Sequence, residues 1–86
     1  MDRKRVGEIS HFYNNISVAV IKLKGTIRVG DTIHILGRTT DFRQNVTSMQ
    51  IEHQAIEEVG ADSEIAMKVV SRVRRRDKVF KLIESD

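Results

Sequence analysis

The stretch Lys24-Gly25-Thr26-Ile27-Arg28-Val29-Gly30-Asp31-Thr32-Ile33 decides the fold class of this chain. Gly30 can take a positive φ without steric cost, and Asp31 can accept a hydrogen bond from the backbone that follows it. β-branched and apolar residues flank this turn, with 16–23 before it and 32–36 after it. We therefore predict two strands with a turn-rich connection and assign Gly25, Gly30, Asp31 and Gly60 as structural turn residues.

The rest of the chain shows the same alternation of short strands and turn signals. Apolar positions change parity between Val46 and Met49, which favours a β-bulge within one long strand. Residues 54–62 contain apolar residues three apart and end near Gly60, which fits a single helical turn or a tight loop. Six strands spaced in this way are typical of a β-barrel or sandwich, and closure removes exposed edges. The predicted strands are 6–12, 16–23, 32–36, 42–52, 63–70 and 79–83.

Length and composition limit the class of protein. Eighty-six residues make one domain, which we place at 1–86 with a barrel core at about 6–83. The absence of cysteine excludes disulfides and thiolate zinc sites. The longest apolar run is Val18–Ile21, and no apolar signal core follows the charged N-terminus. We therefore expect a cytoplasmic domain with no membrane partner.

The sequence predicts no catalytic residues, no metal site and no cofactor. Gly25, Gly30 and Thr32 have the spacing of a phosphate-binding loop, but Asp31 stands where that loop needs lysine and would repel phosphate. We therefore expect no nucleotide ligand. The three histidines lie on separate segments, so we expect solvent-facing strand histidines at His11, His34 and His53. On these grounds the chain is predicted not to be an enzyme.

The charge distribution provides the main functional signal. Residues 68–81 contain seven cationic side chains against Asp77 alone, whereas 52–64 contain five carboxylates and no lysine or arginine. Arginine forks on a turn fit phosphates, and Tyr13 and Phe42 offer stacking surfaces while Phe80 is assigned to the core. The alternative is a solvated turn whose arginines pair with the acidic loop. The candidate nucleic-acid-binding residues are Arg72, Arg74, Arg75, Arg76 and Lys78, extended by Arg38 and Arg43 if the fold brings them near.

The ordered set of motifs resembles the second domain of elongation factor Tu and related translational GTPases. The stretch 24–33 is similar to that domain's "G-t-l-k-v-G-D-x-I" hairpin, 6–9 to its opening strand, and 46–51 to the strand after its variable loop. Segments 55–69 and 73–79 resemble its remaining motifs, so the resemblance covers about residues 6–83. One departure is Arg76, which stands where the family's last turn carries glycine, so that turn must avoid a positive φ or bear strain.

This resemblance implies an all-β, six-stranded closed Greek-key barrel that contacts tRNA or ribosomal RNA. Because similar barrels are also appended to other enzymes, including some peptidases, a second hypothesis is a protein-interaction module that docks on a separate enzyme or partner protein. The strand 16–23, apolar on both faces, favours that second hypothesis. Homodimerisation through the acidic and basic loops is compatible with either one.

Overall fold

The computed structural model describes residues 2–83, which form a small all-β domain without a helix. None of these residues therefore belongs to a helix that could cross a membrane. The all-β prediction is confirmed. Two short strands lie within 54–62, where we expected a single helical turn or a tight loop. The strands are β1 Asp2–Tyr13, β2 Val18–Leu23, β3 Ile27–Arg28, β4 Thr32–Leu36, β5 Asp41–Asn45, β6 Met49–Ile51, β7 Gln54–Ile56, β8 Glu58–Val59, β9 Glu64–Lys68 and β10 Lys78–Ile83.

Eight strands form one antiparallel sheet in the order β5-β4-β10-β1-β2-β9-β6-β7, and β3 pairs with β8 in a second, two-stranded sheet. Strands β5 and β7 are the two ends of the large sheet, so its backbone pairing is not closed into a ring. The prediction of a six-stranded closed barrel is therefore wrong in strand number and in closure.

The predicted long strand 42–52 is two strands at opposite regions of the sheet. Strand β5 pairs with β4, whereas β6 pairs with β7 and β9. The change of parity between Val46 and Met49 marks this crossing and not a β-bulge. Val46 is itself anchored by backbone hydrogen bonds, because its amide donates to the Asp31 carbonyl at 2.8 Å and its carbonyl accepts from Gly30 at 2.9 Å.

The core lies between the curved inner faces of these strands and is almost entirely aliphatic. In β2 the buried residues are Ala19, Ile21 and Leu23, as alternation in a strand requires. Val18 and Val20, which alternate with them, are half-buried on the outer face. Strand β2 therefore carries apolar side chains on both of its faces. Other fully buried side chains include Ile9, Ile27, Ile33, Ile35, Met49, Ile65 and Val79.

Strand β1 organises the middle of the sheet, where it pairs with both β2 and β10. Its register shifts between Arg5 and Gly7 against β10, and between Ile9 and His11 against β2. A Cβ at Gly7 would lie 2.5 Å from the Lys22 carbonyl oxygen, so only glycine permits this approach of β1 to β2. The two irregularities bend a strand of 12 residues around the core.

A side chain bridges the open edge of β5 to the end of β9. The Gln44 amide donates from Nε2 to the Lys68 carbonyl at 3.0 Å, and its Oε1 accepts from the Val70 amide at 2.9 Å. The Gln44 side chain thus satisfies the Lys68 carbonyl and the Val70 amide, as the backbone of a neighbouring strand would. Gln44 is 24 residues from Lys68 and 26 from Val70 in sequence, and no backbone pairing joins β5 to β9.

We expect the substitution Gln44→Ala to lower the free energy of unfolding by about 0.5–1.5 kcal/mol, since two hydrogen bonds are exchanged for bonds to water. The Val70 amide should lose protection from hydrogen exchange. Asn45→Ala is the matched control, because Asn45 bonds only the Thr32 hydroxyl within the β4–β5 pair, at 2.9 Å. Unchanged exchange at Val70 in Gln44→Ala would contradict the bridging role.

Candidate functional site

Two turns of this domain share one construction. In turn 28–31 the Arg28 amide donates to Asp31 Oδ2 at 3.0 Å, and the Asp31 amide donates to the Arg28 carbonyl at 3.1 Å. In turn 74–77 the Arg74 amide donates to Asp77 Oδ2 at 2.8 Å, and the Asp77 amide donates to the Arg74 carbonyl at 3.1 Å. Each aspartate therefore binds the backbone that precedes it, not the backbone that follows as we expected for Asp31.

The third residue of each turn has a positive φ, as a type II turn requires. Gly30 has φ 101°, and a Cβ there would meet no atom within 4 Å. Arg76 occupies the equivalent position with φ 76°. We call residues 74–77 the arginine turn. Of the two alternatives that its sequence left open, it adopts the strained one, with a positive φ at a residue that is not glycine. Gly25 and Gly60, the other predicted turn glycines, do not have positive φ.

The arginine turn is fastened to β1 and to the β4–β5 connection. The Ile9 amide donates to the Asp77 carbonyl at 2.8 Å, and the Arg76 amide donates to the Ile9 carbonyl at 2.7 Å. Asp77 is 5% exposed, and its side chain lies against Gly37, where any Cβ would overlap the carboxylate. The backbone that carries these arginines is thus held on both sides.

A groove of about 410 Å³ separates the arginine turn from the β4–β5 connection. The residues that line it are Arg75, Arg76, Asp77 and Lys78 from the arginine turn and β10, and Leu36, Gly37 and Arg38 from β4 and the β4–β5 connection. The fold therefore brings Arg38 to the predicted basic turn. We call this feature the basic groove.

Arg75 and Arg76 also line a second groove, of about 290 Å³, with Glu8, Lys22 and Glu64. Glu64 comes from the acidic segment, so the two charged regions are neighbours. Even so, no carboxylate within residues 2–83 forms an ion pair with Arg72, Arg74, Arg75 or Arg76. The part of the chain that the structure describes therefore leaves these guanidinium groups available to an external partner.

The remaining candidate residues lie around the basic groove. Arg72 and Arg74 are exposed but do not line it. Arg43 pairs with His34 across β5 and β4, on the outer face of the sheet. Tyr13 is half-exposed and packs edge-on against His11 at a centroid distance of 4.4 Å, whereas Phe42 packs against the core. The predicted stacking pair thus does not share a surface.

His34 and Phe80 differ from the predictions made for them. His34 is 8% exposed: its Nε2 donates to Asp41 Oδ1 at 2.6 Å, and Arg3 donates to its Nδ1 at 3.2 Å. Phe80 is half-buried on the outer face, where the Arg3 guanidinium lies 4.5 Å from the ring centroid. Because an arginine cannot accept a hydrogen bond, these partners assign the neutral Nε2–H tautomer to His34. Residues 2–83 contain no group of three potential metal ligands.

No protein-family model matches the chain. A curated protein of Methanocaldococcus jannaschii, named uncharacterized protease MJ0090, is 37% identical over 81 residues, which are 93% of this chain and 20% of that protein. The chain thus spans about a fifth of the length of this relative.

The C-terminal domain of a Geobacillus thermoleovorans protein named as a U32 peptidase has the same fold. Its crystal structure superposes with a TM-score of 0.87 at 14% identity and covers 93% of both chains. Its selenomethionine variant gives a TM-score of 0.84 over 88% of this chain and 96% of that domain. At this identity the structural likeness establishes the fold alone.

These comparisons correct three predictions. The similar proteins are named as a protease and as a U32 peptidase, so the assignment to the translation factors is wrong. The RNA-binding role in translation is contradicted by the same finding, which agrees better with the partner-docking hypothesis. The prediction that the chain is not an enzyme is likewise contradicted, since the curated relative is named as a protease.

We expect Arg76→Gly to raise the free energy of unfolding by about 1 kcal/mol, since glycine takes the positive φ without the cost that a Cβ imposes. For a domain of this size the corresponding rise in Tm is about 4–8 °C, measurable by circular dichroism. Arg75→Gly is the matched control, because it removes the same charge at the neighbouring position, which has no positive φ. That control should be destabilised by up to about 1 kcal/mol through the unfolded chain. A lower Tm for Arg76→Gly would contradict the strained turn.

Proposed function

We propose that this chain is a protein-binding domain that works as part of a U32-type peptidase and docks polypeptide through the basic groove. The observation that carries the proposal is the 37% identity to a named protease over 93% of the chain. The match covers only 20% of that protein, so about four-fifths of it lies outside the matched segment. The proposal gives the chain a binding role within the proteolytic assembly. This role applies whether the catalytic portion belongs to the same polypeptide or to a separate chain.

The basic groove supports this role physically. Its arginines stand on a turn whose backbone is hydrogen-bonded to β1 and whose buried aspartate fixes the turn from inside. A guanidinium fork that matches phosphate also matches carboxylate, with two parallel hydrogen bonds in each case. In a peptidase setting the available carboxylates belong to acidic side chains and chain termini of polypeptides.

Association with a catalytic portion is the direct test. The M. jannaschii protease would be expressed without the segment that matches this chain, and the 86-residue chain would be titrated against it by isothermal calorimetry. We expect a measurable Kd that weakens with salt, since exposed charges are screened beyond about 10 Å at 0.1 M. Deleting the segment should also raise KM for an unfolded protein substrate more than it lowers kcat.

The matched variants are the double substitution Arg75→Ala/Arg76→Ala and the control Lys24→Ala/Lys68→Ala, which also removes two exposed charges. Lys68 is an exposed cation at the end of β9, outside the basic groove. Loss of association in the first variant and its retention in the second would support the proposal. Absence of association, together with unchanged proteolysis after the deletion, would refute it. A concentration-dependent dimer of the chain alone, with no binding to the protease, would favour homodimerisation through the charged loops.

A further inference from the structure

The outer face of strands β5, β4, β10 and β1 carries a second set of cationic side chains beside the basic groove. In β10, Lys78, Phe80 and Leu82 point outward, opposite the fully buried Val79. The register places Leu36 beside Lys78, His34 beside Phe80, and Arg43 beside His34. On the other side, Arg5 lies beside Phe80 and Arg3 beside Leu82. We call this surface the outer basic face.

The middle of this face is apolar. Leu36, Phe80 and Leu82 are half-buried, although their outward direction would leave them open to solvent without the long side chains around them. Leu36 also lies in the basic groove, so the outer basic face and the groove are continuous. The result is an apolar floor with a cationic rim.

Arg3 is the cation that the structure positions best. Its guanidinium lies over the Phe80 ring at 4.5 Å and donates to His34 Nδ1 at 3.2 Å. His34 is oriented in turn by Asp41 at 2.6 Å. These contacts reduce the rotamer freedom that Arg3 would lose when it binds a carboxylate. His34 and Asp41 therefore serve as positioning residues for Arg3.

The charge of the combined surface selects the partner. Among residues 2–83, the carboxylates of Asp41 and Glu8 are exposed or half-buried there, and Asp41 is engaged by His34. Asp77 also lines the groove but is buried and bonded to the Arg74 amide. The cationic side chains on the surface outnumber them and are Arg3, Arg5, Arg38, Arg43, Arg75, Arg76 and Lys78. Four strands at about 4.8 Å spacing and five residues at about 3.4 Å make the face roughly 14 Å on each side. An extended segment of about four or five residues fits that span.

We propose that the outer basic face and the basic groove together bind an acidic polypeptide segment that carries one apolar side chain. The apolar side chain lies on Leu36, and flanking carboxylates pair with Arg3 on one side and with Arg75, Arg76 or Lys78 on the other. This inference rests on the proposed function and names the chemistry of the polypeptide that the domain recruits.

The test is a titration of the 86-residue chain with blocked, fluorescently labelled peptides, read by fluorescence anisotropy at low and physiological salt. The probe peptide is Glu-Glu-Leu-Glu-Glu, and its controls replace the leucine by alanine or all glutamates by lysine. We expect the probe to bind, the alanine control to bind about 3- to 10-fold more weakly through the lost apolar contact, and the lysine control not to bind.

Variants of the chain locate the site. Arg3→Ala should weaken binding about 3- to 10-fold, and Arg3→Lys should recover only part of this loss, because an ammonium lacks the planar fork. Leu36→Ala should weaken binding about 3- to 10-fold through the lost apolar contact. If that variant fails to fold, Lys78→Ala, at an exposed position, should weaken binding through the lost charge. Lys68→Ala is the control of equal charge and should bind as the unmodified chain does.

Three results would overturn the inference: no binding of the probe, equal binding of the leucine and alanine peptides, or equal losses in Lys68→Ala and Arg3→Ala. Tighter binding of a single-stranded RNA oligonucleotide, with the same dependence on Arg3, would overturn it in favour of a nucleic-acid ligand. Failure of the peptide titration while the chain still associates with the truncated protease would reject this inference alone. Failure of that association, together with unchanged proteolysis after the deletion, would reject the proposed function.

Discussion

The hydrogen bond from the Arg74 amide to the buried Asp77 carboxylate is the constraint on which the binding surface depends. It closes the turn from inside, while the backbone of the same turn exchanges two hydrogen bonds with Ile9. Gly37 leaves just enough space for the carboxylate, so the β4–β5 connection lies directly against the turn. One anionic side chain thereby fixes both walls of a groove whose exposed rim is cationic.

The two aspartate turns show what a sequence motif can and cannot report. The turn at Gly30-Asp31 could be predicted, because glycine at the third position indicates the positive φ that a type II turn needs. Turn 74–77 has the same hydrogen bonds without that glycine, so its conformation stayed open until the structure placed Arg76 at φ 76°. The shared signal is the aspartate at the fourth position, which binds the first residue's amide in both turns. Comparing the two segments could have identified it.

The fold was predictable where a local period decides it and not where pairing is remote. Alternation identified the inner residues of β2 and β4, such as Ile21 and Ile33, and the all-β class. The parity change after Val46 has two physical causes, a bulge or a passage to another part of the sheet, and local pattern does not separate them. Alternation along β4 places His34 on the outer face, as predicted. Its burial comes from Arg3 and Phe80, which belong to strands far away in sequence. No single-strand pattern contains that information.

The resemblance to a translation factor failed for a related reason. Hairpin and turn motifs report backbone geometry, which is shared by domains with different ligands. Arg38 does lie beside the arginine turn, but a positive charge does not distinguish phosphate from carboxylate.

What surrounds the charges is more informative than the charges themselves. A surface that holds a single-stranded nucleic acid needs exposed aromatic faces along the path of the strand. Here Arg3 lies over Phe80, Phe42 packs against the core, and Tyr13 lies ten residues along β1 from Arg3, beyond both irregularities of that strand. The groove instead includes Leu36 among its lining residues, beside Lys78. An aliphatic floor with a guanidinium rim matches the alternation of apolar and acidic side chains that a polypeptide can present and a phosphodiester backbone cannot.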